Sequence, residues 1–340
     1  MKLTFNLTTY REDLDRYRDR NDLLTDLSGF DGLELMHFGE DLRSVVPPER
    51  IMGVHLCFFP YWYDFYTGDM AACERNLGSH EAICAFYGGD TPEALVDAYR
   101  RDIDRAKAEG AQYVVFHVSD CADEELFTLR YRHTSREIVK AAIDLLNELF
   151  PEPDGDMALL LENLWHPGLT MTEPEETRQL LSGVRYENKG IMLDTGHLMH
   201  TDLSLRTQEE ALAYIRRCIE AQGDDVRRTI RGIHLHQSLT GTYIADVAAH
   251  PPVLSIDPQK RMEQVYTHAF RCDRHRPFTC PGVGDLVRWI DPEYLTLEFI
   301  SRSREEHQAM LRAQLAALGR SKTAIFRQES KRTVKKKPLP

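Results

Sequence analysis

Met192-Leu193-Asp194-Thr195-Gly196-His197 runs from an apolar stretch straight into an aspartate and a histidine, with a glycine between them. An apolar run of about four to eight residues bounded by turn signals reads as a buried strand. Such a strand ordinarily stays apolar, because an unpaired carboxylate or imidazole inside is costly. The same ending recurs in Gly53-Val54-His55, Val114-Val115-Phe116-His117, Leu160-Leu161-Glu162-Asn163, Gly232-Ile233-His234-Leu235-His236 and Thr296-Leu297-Glu298-Phe299. Polar ligand types at the ends of many strands imply one shared site. Oxygen and nitrogen donors converging on one face are what a divalent metal requires.

Working outward, eight strands are predicted, at 3–9, 32–38, 51–58, 113–119, 157–164, 189–198, 231–238 and 294–301. Helical patterns lie between most of them, at 11–27, 91–110, 135–150, 173–181, 207–222 and 304–318. The second opens on Asp90-Thr91-Pro92-Glu93 and stops at Gly110, a good start and a good stop. Strand alternating with helix, and no hairpin signal, implies a parallel sheet. Eight such units predict an α/β fold, a (β/α)8 TIM barrel of about 250 residues plus insertions. One domain over residues 1–320 is expected, with 321–340 as a basic, flexible tail. Two connections are too long to be plain loops: an insertion after strand 3, from Phe58 to Asp90, and a loop after strand 7 that includes Tyr243, His250 and Asp273-Arg274-His275. Long loops in a compact domain are usually functional, and here both overhang the face that carries barrel active sites.

Composition narrows the class. The 340 residues are 42% hydrophobic and 28% charged, and no apolar stretch approaches the roughly 20 residues that span a bilayer. The start, Met1-Lys2-Leu3-Thr4-Phe5-Asn6, soon meets Arg11-Glu12-Asp13 and does not read as a signal peptide. The seven cysteines are scattered and free of C-x-x-C pairs, as reduced cytoplasmic thiols would be. A cytoplasmic enzyme with no membrane partner is expected. The net charge of −12 argues against non-specific nucleic-acid binding through the body. There is no P-loop and no G-x-G-x-x-G after a strand, so no nucleotide cofactor has support.

Taken together, Leu193-Asp194-Thr195-Gly196-His197, Gly232-Ile233-His234-Leu235, Leu297-Glu298-Phe299 and the upstream Glu162-Asn163 resemble the xylose isomerase-like barrel superfamily, over about residues 3–318. That superfamily contains sugar isomerases and epimerases and the type IV apurinic endonucleases. The resemblance implies that Glu162, Asp194, His234 and Glu298 form the metal set common to the epimerases. On the endonuclease side it implies three zinc ions and nine ligands, with His55, His117, His197, Asp273 and His275 completing the set. The region around Trp62 is longer than in the endonucleases, and no clear counterpart to their basic DNA-intercalating loops is seen.

Two chemistries are therefore expected. In the first, a divalent metal (Mn, Zn, Co or Mg) serves a sugar, keto-sugar or related polyol. Glu162 and Glu298 act as general base and acid through an enediolate. In the alternative, two or three zinc ions clamp a phosphoester for hydrolysis. The first is favoured, with a carbohydrate-like substrate; nucleic acid stays open as a substrate of the second. Each residue also has a plainer reading. A strand-end glutamate can be satisfied by backbone or arginine, Asp194 can be a helix cap, and His236 can be a substrate contact, a group supporting the ligands from behind, or a core histidine. His197, His236, Trp62, Trp165 and Arg274 are the candidate substrate-binding residues. The aromatic string from Phe58 to Tyr66 more often packs an insertion onto its barrel or onto a second copy of the chain, so a homo-oligomer is an expected partner state.

Overall fold

Side chains of a strand point alternately to two sides, and in this chain that alternation decides which residues meet. The computed structural model describes residues 1–38 and 45–319. Its strands are β1 (Lys2–Thr8), β2 (Gly32–Met36), β3 (Ile51–His55), β4 (Tyr113–His117), β5 (Ala158–Glu162), β6 (Lys189–Asp194), β7 (Ile230–Leu235) and β8 (Tyr294–Leu297). Neighbours pair in parallel in chain order, and β8 pairs back onto β1, closing the barrel. The fold is the predicted (β/α)8 TIM barrel.

The barrel interior is filled from alternate positions. Met52, Tyr113, Val115, Ala158, Leu160, Met192 and Tyr294 form one buried cluster, separate from the larger core between strands and helices. Gly53 makes room for it, since a Cβ there would lie 2.1 Å from the Tyr113 ring. Continuing the inward columns of β4, β5 and β6 by two residues brings Tyr113 and Val115 to His117, Leu160 to Glu162 and Met192 to Asp194. The apolar plug thus ends in a polar layer at the C-terminal mouth.

Two details differ from the sequence expectation. Residues 11–27 are two helices, Arg11–Leu14 and Arg20–Asp26, because Asp19 is extended and caps the second through Oδ1 to the N–H groups of Asn21 and Asp22. Strand β6 stops at Asp194, and Thr195–Met199 is a short helix rather than more strand. The insertion after β3 is helical, with Tyr63–Thr67, Met70–Leu77 and His80–Tyr87 preceding the long helix Pro92–Ala108. The connection after β7 likewise carries Gly241–Ala249 and Pro258–Cys272. The basic tail expected at 321–340 lies outside the described residues. No helix among those described is long and apolar enough to cross a membrane.

Candidate metal centre

Register brings the strand-end residues side by side: His117 is paired with Glu162 and Asp194 with His234. The two oxygens of Glu162 then face different histidines. Oε2 lies 3.1 Å from His55 Nε2 and 3.2 Å from His117 Nε2, while Oε1 lies 3.2 Å from His234 Nδ1 and 3.3 Å from His197 Nδ1. Two ligand groups therefore share one carboxylate. His234 Nδ1 is also 3.4 Å from Glu298 Oε2 and 3.8 Å from Asp194 Oδ2.

A third group forms where the loop before β8 returns to the barrel. Gln237 and Arg276 exchange backbone hydrogen bonds of 2.7 and 3.0 Å, which pins the loop to the end of β7. Ser238 Oγ donates to Asp273 Oδ1 at 2.8 Å and accepts the Arg274 N–H at 2.7 Å. His275 sits in the left-handed region at φ 45°, a conformation that costs a non-glycine residue about a kcal/mol or more and persists only where surroundings hold it. The result places Asp273 Oδ2 3.1 Å from His197 Nε2 and 2.7 Å from His275 Nε2.

Neighbouring backbone sets several of these rings. His55 Nδ1 donates to the Leu56 carbonyl and His197 Nδ1 to the Asn163 carbonyl, both at 2.9 Å, which leaves Nε2 of each as a lone pair aimed inward. Asn163 also ties β5 to β6, donating to the Asp194 carbonyl and accepting its N–H. Asp194 has the helix-cap role that the sequence allowed it. Oδ1 caps the short helix by accepting the His197 N–H at 2.6 Å, and Oδ2 faces the cluster.

These residues fit divalent metal. A tetrahedral zinc with bonds of roughly 2.0–2.1 Å separates its ligand atoms by roughly 3.3–3.4 Å, close to the spacings above. The ligand-type residues fall into overlapping groups: His55, His117 and Glu162; Glu162, Asp194 and His234; Asp194, His236 and Glu298; His197, His236, Asp273 and His275. Glu162 Oε1, Glu298 Oε2, His234 Nδ1, His236 Nδ1 and His275 Nδ1 are buried without a well-aligned hydrogen bond. Buried polar atoms are normally satisfied, so orphans aimed at one another form a group that could hold a cation. Five carboxylates, from Glu34, Glu162, Asp194, Asp273 and Glu298, are buried here, and they require positive charge.

The protein's own ionisation follows. Burial alone would raise Glu162, but His117 and His234 hold it well below the usual carboxylate range. For Glu298 burial wins and its carboxyl is raised. Burial lowers His117 to about 4. Burial also opposes charge on His275, yet Asp273 and Glu298 raise it to about 9.

Around the cluster, Trp165 is half-buried, with its ring 5.2 Å from that of His197 and 4.7 Å from that of His200. Arg274 is exposed beside the third group. Trp62 is elsewhere. It is 1% exposed in the core, and its indole N–H donates to the Ser119 carbonyl at 2.7 Å, so it offers no face to a substrate. Phe58, 39% exposed and 4.8 Å from the His117 ring, is the aromatic of that string that reaches the mouth. Sequence reasoning passed over Glu34, whose Oε1 is 2.8 Å from His234 Nε2, and His200, 3.6 Å from Asp273 Oδ1.

The family model for the xylose isomerase-like TIM barrel matches residues 24–298. The chain belongs to that family. No curated protein matches it in sequence. Among solved structures, AsfvAP:AG is similar at 12% identity with a TM-score of 0.52, over 94% of this chain and 98% of the other. D-psicose 3-epimerase in the presence of D-fructose is similar at 12% and 0.50, over 94% and 100%. Endonuclease IV from Thermus thermophilus is similar at 17% and 0.46, over 94% and 99%. At these identities the likeness shows the fold alone. Membership supports an enzyme that is epimerase-like, isomerase-like or endonuclease-IV-like.

Proposed function

We propose that this barrel is a multinuclear, metal-dependent hydrolase of a small phosphoester. The carrying observation is Glu162, whose two oxygens serve two separate ligand groups within one buried layer. A shared carboxylate is what a pair of ions flanking one reacting phosphate requires, whereas proton transfer on a sugar needs only one ion. Zinc suits these imidazole-rich groups and would be held by His55, His117 and Glu162, by Glu162, Asp194 and His234 with Glu298 beside them, and by the group around Asp273 and His275. When bound, such ions supply Lewis acidity toward a phosphoryl oxygen.

The chain's own groups do the rest. Glu298, whose Oε2 faces His234 Nδ1, would bind an ion through that oxygen and carry a proton on the other, passing it to a departing oxygen. Trp165 and Phe58 give apolar walls that orient a small organic group and exclude water. The net charge of −12 favours a small substrate over a polyanionic chain.

The test is hydrolysis of bis(4-nitrophenyl) phosphate and a panel of sugar phosphates by zinc-loaded protein, with an abasic oligonucleotide alongside. Turnover that chelation removes and zinc restores supports the reading. A second reading, epimerisation of a ketose, is favoured by one feature: Glu162 and Glu298 both reach His234, the arrangement that two-carboxylate proton transfer would use. Activity on a ketose panel, with none on phosphoesters, would replace the first reading by the second.

A further inference from the structure

We infer that His236 is itself a metal ligand, through Nδ1, and that it closes the third group with a fourth protein donor. The family resemblance does not place His236 among its nine ligands, and the sequence leaves it as a substrate contact, a group supporting the ligands from behind, or a core histidine. The geometry points elsewhere. His236 is fully buried, at the same depth as Glu162 and Asp194. Its Nε2 donates to Asp194 Oδ2 at 2.8 Å, which places the ring's remaining lone pair on Nδ1. Nδ1 has no hydrogen bond and lies 3.8 Å from Asp273 Oδ1. Donor atoms of His197, His236, Asp273 and His275 lie within 4.8 Å of one another, and the His236 and His275 rings stack at 3.9 Å.

The backbone is cut to admit this ring. A Cβ on Gly196 would lie 2.0 Å from His236 Cε1 and 2.4 Å from Nδ1. Glycine at 196 is thus required by the imidazole, in a short helix whose regular backbone needs none. A carboxylate that takes the N–H of a ligating histidine fixes its ring and raises its basicity. Here that carboxylate is Asp194, which belongs to the neighbouring group, so His236 links two ion sites.

The consequence concerns the division of labour. Zinc with four protein ligands is a closed, structural site; zinc with three keeps a position open. His236 closes the third group, while His55, His117 and Glu162 stay a three-donor group beside exposed Phe58. The inference rests on the multinuclear part of the proposed function and not on its substrate.

Metal per chain is measured on purified wild type, His236→Gln and His236→Ala after equilibration with zinc and a competing chelator. The wild type is expected to hold three zinc ions among the overlapping groups, and both variants about one ion fewer. Added imidazole should return that ion to His236→Ala. A full complement in His236→Gln, which keeps a donor for Asp194, overturns the inference, as does a wild type with no third ion. Should the variants not fold, anomalous scattering from zinc-loaded wild-type crystals decides. A peak about 2.1 Å from His236 Nδ1 supports ligation, and a peak on His197, Asp273 and His275 alone refutes it. Neither experiment needs turnover, so a failure of the phosphoester reading leaves this result intact.

Discussion

Glu34 Oε1 lies 2.8 Å from His234 Nε2, on the far side of the imidazole from Glu162. The same carboxylate accepts the Tyr113 hydroxyl at 2.7 Å and that of Thr296 at 3.0 Å, inside the barrel and below the site. The apolar plug and the polar layer are therefore joined through one buried acid. Loss of a carboxylate behind a ligating histidine typically weakens metal binding by roughly 10- to 100-fold. Glu34→Gln should show a loss of that size in a chelator competition. An unchanged affinity would reduce Glu34 to a packing role.

Glu162 makes a different prediction, because its oxygens belong to two groups. Glu162→Gln should lower the metal content by about two ions per chain, where loss of an ordinary ligand removes about one. Elemental analysis beside Asp273→Ala/His275→Ala separates the cases. The double variant should lose the third ion alone, and equal losses in the two proteins would show that Glu162 does not bridge.

His307 gives a pH dependence away from the site. It is buried against Phe5, and burial lowers its pKa to about 4, with Arg16 adding to the effect. Between pH 4 and the unfolded value near 6.5 the unfolded chain binds the extra proton. Stability from this residue is thus complete above pH 6.5 and is lost as pH falls toward 4. The full difference is about 3 kcal/mol. His307→Leu, compared with wild type by urea unfolding in steps from pH 7 to 4.5, should fall less steeply. Parallel curves would mean that His307 does not carry the effect.

Much of this was legible because a strand reports its inward face every second residue. His117, Glu162 and Asp194 each end an inward column of apolar residues, and an acid or imidazole there has no apolar explanation. Glu34 carried the same signal inside Gly32-Leu33-Glu34-Leu35-Met36, but it lies two residues before the strand end, where a barrel is normally plugged. His236 was singled out, but the way its ring is set could not be seen, since Gly196 and Asp194 lie about forty residues away in sequence and are adjacent only across β6 and β7. The string from Phe58 to Tyr66 was ambiguous because aromatic composition does not say which ring folds under a helix.

Trp62 turns that ambiguity into a stability experiment. Its indole is buried and its backbone N–H, like that of Tyr63, donates to Asp120 Oδ1 at the start of the helix Tyr63–Thr67. Trp62→Ala should cost about 3–5 kcal/mol, the range for emptying a large aromatic site. Metal content of the folded fraction should not change. A substrate wall would behave oppositely, with stability kept and KM raised, and steady-state kinetics on the folded variant would show it.

Glu298→Gln separates the two reactions. As proton donor to a departing oxygen, Glu298 contributes roughly 10²–10⁴-fold, and the loss should shrink for phosphoesters whose leaving group needs no proton. A 4-nitrophenolate ester should therefore suffer less than an alkyl ester in the same variant. In two-carboxylate epimerisation no such dependence exists, and the substitution should abolish exchange of the substrate's carbon-bound hydrogen with solvent. Equal losses on both esters, with exchange on a ketose abolished, would transfer the site from hydrolysis to proton transfer. A loss graded by leaving group would fix Glu298 as the acid of a hydrolase.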